Sequence, residues 1–192
     1  MSNIIEYISS SQDIQLSDIP CIDLYMDQVT TLFDDKLANT KREVSDKILT
    51  KTMINNYTKA KTLLPPKNKK YSKNHIILLS LIYSLKQILS INDIKTLLTP
   101  LLNSMTAVKE NAGVNLDELY SAYLNIKKED LDNFAEGFDG MFNHVLEKSS
   151  ELRIDDNDRT ILILLVLTLV NQAAFNKRLA EKIIDGFLTS SN

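Results

Sequence analysis

The chain has 192 residues, 44% hydrophobic content, four glycines and four prolines, which allows one sizeable core or two small ones and favours an almost entirely helical protein of two lobes. Its single cysteine, Cys21, excludes an internal disulfide. The N-terminus has neither the basic start nor the apolar run of a secretion signal, so a reducing cytoplasmic compartment is expected.

The net charge of −3 conceals a segregation. Residues 1–35 sum to −7, 36–75 to +9, 76–100 to +1 and 101–192 to −6. Half of all lysines and arginines fall within forty residues, a concentration that phosphate binding requires and that a solvated basic face would also show.

In chain order, residues 1–19 read as an N-terminal arm or short helix. A first helix is predicted over Ile22–Leu37, with Leu24, Tyr25, Val29, Leu32 and Phe33 at three- and four-residue spacing. The polar stretch Asn39–Ser45 is a connection. Thr50 then serves as N-cap for a helix over about 50–62, where Met53, Tyr57 and Ala60 share one face beside Ile54. Lys51, Thr52, Asn55, Lys59 and Thr62 are left outward, on a face without acids. Asn55 offers an amide suited to an adenine edge, and Lys51 and Lys59 are placed for phosphates.

Pro65-Pro66 ends that helix, and 65–71 forms a short basic wing containing Lys67, Lys69, Lys70 and Tyr71. Ser72 caps a helix over Lys73–Leu89 that is apolar on nearly every side and should be the centre of the lobe. Ser90 and Asp93 form a capping box for a shorter helix, and Pro100 marks the lobe boundary.

Beyond it, helices are predicted over Leu101–Ala112, Leu116–Ile126, Glu129–Leu152 and Asp158–Leu188. Phe134, Phe138 and Phe142, with Gly137 and Gly140 among them, point to close helix packing rather than an effector pocket. The run Ile161–Val170 is ten residues, against about 20 for a membrane span. It reads as a helix buried on all sides, either within the lobe or across a dimer interface. No membrane association is expected.

The order helix with a terminal aromatic, Leu63-Leu64-Pro65-Pro66, basic wing ending in Tyr71-Ser72, then Leu89-Ser90-Ile91-Asn92-Asp93-Ile94 resembles the DNA-binding domain of MerR-type regulators. More closely, the run from Ile19 through Leu98 is similar to a bacterial family known as domain of unknown function eighteen thirty-six. Its most telling strings are Ile22-Asp23-Leu24-Tyr25-Met26-Asp27-Gln28-Val29 and Leu49-Thr50-Lys51-Thr52-Met53-Ile54-Asn55-Asn56-Tyr57. The resemblance implies a winged helix-turn-helix over 20–100 that binds double-stranded DNA, followed by a helical dimerisation or effector domain over 101–192. The sequence departs from MerR proteins in having Asn55 where their recognition helix carries arginine, Lys61 where glycine follows it, and a short wing.

The expected fold is therefore all-α with a small wing hairpin at most. The expected DNA contacts are Lys51, Thr52, Asn55, Asn56, Lys59, Lys67, Lys69, Lys70, Tyr71 and Lys73, in a homodimer held by the C-terminal helices, with an unidentified small-molecule effector as a further candidate partner. The alternative is a protein-interaction module on the same scaffold. No catalytic residue, cofactor or metal site is expected. Asp155-Asp156-Asn157-Asp158 lacks the glycine and glutamate of a calcium loop and reads as helix capping, His75 and His144 lack ligand spacing, and no phosphate loop or nucleophile elbow is present.

Overall fold

The computed structural model describes residues 13–106, 115–152 and 157–189. Among them the protein is all-α apart from one two-stranded antiparallel sheet. Strand β1 (Leu24–Tyr25) leads directly into helix α1 (Met26–Lys36), and α2 (Lys51–Lys59) follows after a long connection. Strand β2 (Lys70–Tyr71) precedes α3 (Lys73–Leu85), and α4 (Ile91–Thr106), α5 (Leu116–Ser150) and α6 (Asn157–Ile183) complete the chain, with a π-helical turn over Ile184–Leu188.

The first helix starts later than its periodicity predicts because residues 24 and 25 have a sheet partner. Leu24 lies opposite Tyr71 and Tyr25 opposite Lys70. The Gln28 side chain then accepts the Tyr25 backbone N–H at 2.8 Å, so the strand passes into the helix without an orphaned donor. Val29 and Phe33 are fully buried on the inner face of α1.

Helix α3 is the axis of the first core. Every residue from His75 to Ile82 is buried, as its all-round apolar sequence predicts. Around it gather Val29, Phe33, Ile54, Tyr71 and Ile94, each at most 2% exposed. The predicted capping box forms at the start of α4: Asp93 accepts the Ser90 N–H and Ser90 Oγ accepts the Asp93 N–H, both at 3.2 Å.

Other boundaries differ from the predicted ones as well, and α3 ends at Leu85 rather than Leu89. Ile14 and Ile19, assigned to the arm, are core residues, and the Tyr120 hydroxyl donates to the Ile14 carbonyl at 2.7 Å; the assignment of 1–12 lies outside the described residues. Pro100 does not end the first lobe. Helix α4 runs through it, because Leu98, Leu101 and Leu102 bury on both sides of the proline in one core that reaches Tyr120, and such burial, about 2 kcal/mol per side chain, outweighs the loss of one helical hydrogen bond. The two helices predicted across 116–152 are one, since Lys127 and Lys128 are good helix formers and no glycine or proline separates them. Lys127 also ties α5 to the N-terminal segment through Asp13 at 2.5 Å.

Helices α5 and α6 form an antiparallel hairpin around a second, smaller core of Phe138, Val145, Ile161 and Leu165. Phe138 and Phe142 stack nearly parallel, 6.3 Å between centroids. Gly137 and Gly140 are not there to admit a close neighbour, because a Cβ at either would meet nothing within 4 Å. The largest departure is α6. Of the two predicted ways to bury its apolar run, within the lobe or across a dimer interface, the first does not hold: Val166, Leu167 and Val170 are 58%, 59% and 60% exposed within one protomer. Only 6% of its most apolar 18-residue window is buried, and by length and composition alone the helix Asp158–Leu188 could cross a membrane. The expected capping by Asp155 and Asp156 lies outside the described residues.

Candidate nucleic-acid interface

Helix α2 is built as its sequence predicts. Thr50 Oγ1 accepts the Met53 N–H at 3.1 Å, the expected N-cap. Ile54 and Tyr57 bury inward, and burial pushes the Tyr57 hydroxyl pKa up. Lys51, Thr52, Asn55, Asn56 and Lys59 are exposed. No acidic side chain lies on α2 itself.

Thr62 is the exception among the residues read as outward. It is fully buried, and its hydroxyl donates to the Tyr57 carbonyl at 3.0 Å. The chain turns there through Lys61, whose φ of 60° lies in the left-handed region. That geometry is the usual glycine position at a helix C-terminus, and a side chain there costs on the order of 1 kcal/mol.

The basic segment after Pro66 closes as a two-residue hairpin. Lys67 and Lys70 exchange both backbone hydrogen bonds, at 3.1 and 2.9 Å. Between them Asn68 and Lys69 take φ values of 53° and 63°, the double left-handed turn that favours Asn-Gly. Lysine thus occupies two positions, 61 and 69, where glycine would relieve strain. Lys61 was not among the predicted contacts, although its replacement of the usual glycine was visible in the sequence.

The remaining predicted contacts divide. Tyr71 is not available to a ligand: it is 2% exposed, on the inner side of β2, with its ring edge-on to His75 at 5.6 Å. Strand alternation places it inward and Lys70 outward. Lys70 Nζ lies 5.2 Å from the Tyr25 ring centroid. Lys73 pairs with Asp117 of α5 at 2.6 Å, and Lys51 pairs with Asp27 of α1. Both Lys51 and Asp27 are more than half exposed, so their pair is worth at most about 1 kcal/mol and a phosphate can replace it. Among the described residues Lys59, Lys61, Lys67 and Lys69 have no ion-pair partner.

His75 locks this region. Its Nδ1 accepts the Ser72 N–H at 3.1 Å and its Nε2 lies 3.3 Å from the Pro65 carbonyl, the arrangement of a neutral Nε2–H tautomer. Desolvation is the main cause that holds its pKa below 6.5, against the opposing hydrogen bond to Pro65. One buried imidazole therefore joins the two ends of the basic hairpin. By contrast, residues 37–50 separate α1 from α2, whereas a helix-turn-helix is joined by about 3–4 residues.

An apolar cavity of about 1000 Å³ opens between α3, α4, α5 and the end of α6, lined by Leu81, Leu97, Leu119, Tyr123 and Leu188 among others. The Phe134–Phe142 ladder does not line it.

The fold is thus an all-helical protein with one short antiparallel sheet carrying a cationic hairpin. The family model described as Domain of unknown function (DUF1836) matches residues 14–123, more than half of the chain, and the protein belongs to this family. The match begins at Ile14, the first buried residue of the first core, and runs three residues past its last, Tyr120. No curated protein and no solved structure matches the chain.

Proposed function

We propose that the protein binds duplex DNA through a MerR-like winged-helix surface, with α2 in the major groove and the Lys67–Lys70 hairpin on the phosphate backbone. The observation that carries this reading is the presence of lysine at two left-handed positions, Lys61 and Lys69, beside an α2 face with no acid of its own. Backbone strain held in place by surrounding packing is commonly stored where function needs it, and here it displays cations. The order strand, helix, helix, tight hairpin, helix supports the winged part of this reading, although the 14 residues between α1 and α2 exceed the turn of a helix-turn-helix. The contact set is Thr52, Asn55, Asn56 and Lys59 on α2, Lys61, Lys67 and Lys69 around the hairpin, and Lys51 by exchange of Asp27 for phosphate.

Duplex binding measured by fluorescence anisotropy across a salt series tests it. Replacing Lys67 and Lys69 by glutamate should weaken binding to every sequence and lower the salt slope by about 2, one per lost phosphate contact. Asn55→Ala should alter base preference by about 1–3 kcal/mol with the slope unchanged. Absence of measurable duplex affinity at low salt overturns the proposal. A salt-insensitive complex with a protein, lost on Asn55→Ala, would establish the interaction-module alternative instead.

A further inference from the structure

The outer face of α6 is the largest feature that the first core and the proposed DNA surface leave unexplained. Leu162, Ile163, Val166, Leu167 and Val170 are all more than half exposed, and Ala173 and Ala174 beside them are exposed too. Their combined surface is on the order of 600 Å², at the upper limit of apolar patches on monomers and most of the ~800 Å² per partner of a standard interface. The opposite side of the helix is already satisfied, since Ile161 and Leu165 pack on α5. We propose that this face is covered by α6 of a second copy of the chain, crossing antiparallel so that the two α5–α6 hairpins form a four-helix bundle.

The direction follows from residue placement on α6. With 3.6 residues per turn, Arg159, Val166, Val170, Lys177 and Glu181 fall close to one line along the exposed side. Reversing a second helix about Val170 sets Arg159 of each copy against Glu181 of the other, so that Glu181, already 3.6 Å from Lys177 of its own helix, gains a second cationic neighbour. The same reversal places the small Ala173 and Ala174 opposite Leu167 and Val166, so large side chains meet small ones. A parallel pairing would place Arg159 on Arg159 and Lys177 on Lys177. A lipid bilayer is the poorer occupant: the uncharged stretch between Arg159 and Lys177 is 17 residues, at the lower end of what a span needs, and it carries the polar Asn171, Gln172 and Asn176 before the charges Lys177, Arg178, Glu181 and Lys182.

This inference is independent of DNA binding, and its test needs no DNA. Sedimentation equilibrium of the full chain is expected to give twice the protomer mass. Combining Val166→Glu with Val170→Glu should weaken association roughly tenfold or more, with far-UV helicity retained because neither side chain is buried. Val44→Glu, at a 98% exposed loop position, should leave the dimer intact. In a Cys21→Ser background, Val170→Cys should cross-link to itself across the two-fold axis. Ile163→Cys, seven residues from that axis and so roughly 20 Å from its own copy, should not. A monomeric wild type at all concentrations overturns the proposal, as does an oligomer insensitive to the glutamate pair. Equal cross-linking at both cysteines overturns the antiparallel arrangement. Co-sedimentation of monomeric protein with phosphatidylcholine vesicles would assign the face to lipid.

Discussion

Helix α3 and the Ile161–Val170 run of α6 are the two most apolar stretches of the chain, and they end in opposite environments. In α3, eight consecutive residues are buried, including the polar His75 and Ser80. In α6, five of the nine residues from Leu162 to Val170 stay more than half exposed. Composition does not separate them. The difference lies in neighbours: α3 shares one core with residues of β2, α1, α2, α4 and α5, whereas α6 has one long partner, α5. A helix apolar all round needs several neighbours, and α6 lacks them within one protomer.

The largest expected effect tests this contrast directly. Leu78→Ala in α3 should lower unfolding free energy by about 2–5 kcal/mol through the cavity it leaves. Val166→Ala in α6 should change it by less than about 0.5 kcal/mol in dilute protein. Urea unfolding at low concentration measures both, and comparable losses would break the distinction between the two helices.

Acidification should weaken the first lobe through His75. Because His75 has a folded pKa below its ordinary 6.5, the unfolded chain takes up its proton first as pH falls. The stabilising contribution is complete above about 6.5 and declines on the way down to the folded value, with a slope of at most about 1.4 kcal/mol per pH unit. Unfolding midpoints of wild type and His75→Gln between pH 7 and 5 should converge as pH falls. Constant separation would show that the Pro65–Ser72 link does not titrate.

The smallest expected effect concerns strain. Lys69→Gly should stabilise the fold by roughly 0.5–1 kcal/mol, since glycine takes the left-handed turn without steric cost. The same substitution should weaken duplex affinity by one phosphate contact. Thermal melting and anisotropy on the same variant measure the two, and a stabilised variant with full affinity would detach the strain from function.

Much of the first lobe was legible in the residues. The Thr50 cap, the Ser90–Asp93 box and the all-round apolar pattern of α3 are local signals, and each has its predicted role because hydrogen bonds over three residues and 3.6-residue periodicity need no distant partner. The cationic content of the proposed interface was legible for the same reason. Its membership was not: Tyr71 and Thr62 turned inward, and Lys73 was taken up by Asp117 from 44 residues away.

The residues alone specify an all-helical chain with a small hairpin, a basic segment concentrated before α3 and an acidic C-terminal half. Long-range packing settles that Leu24 and Tyr25 pair with Tyr71 and Lys70, that the first core runs through Pro100 to Tyr120, and that the apolar face of α6 stays open. One cause lies behind all three. Periodicity records which face of an element avoids water, but burial depends on which other elements arrive to cover it, and those contacts join residues far apart in the chain.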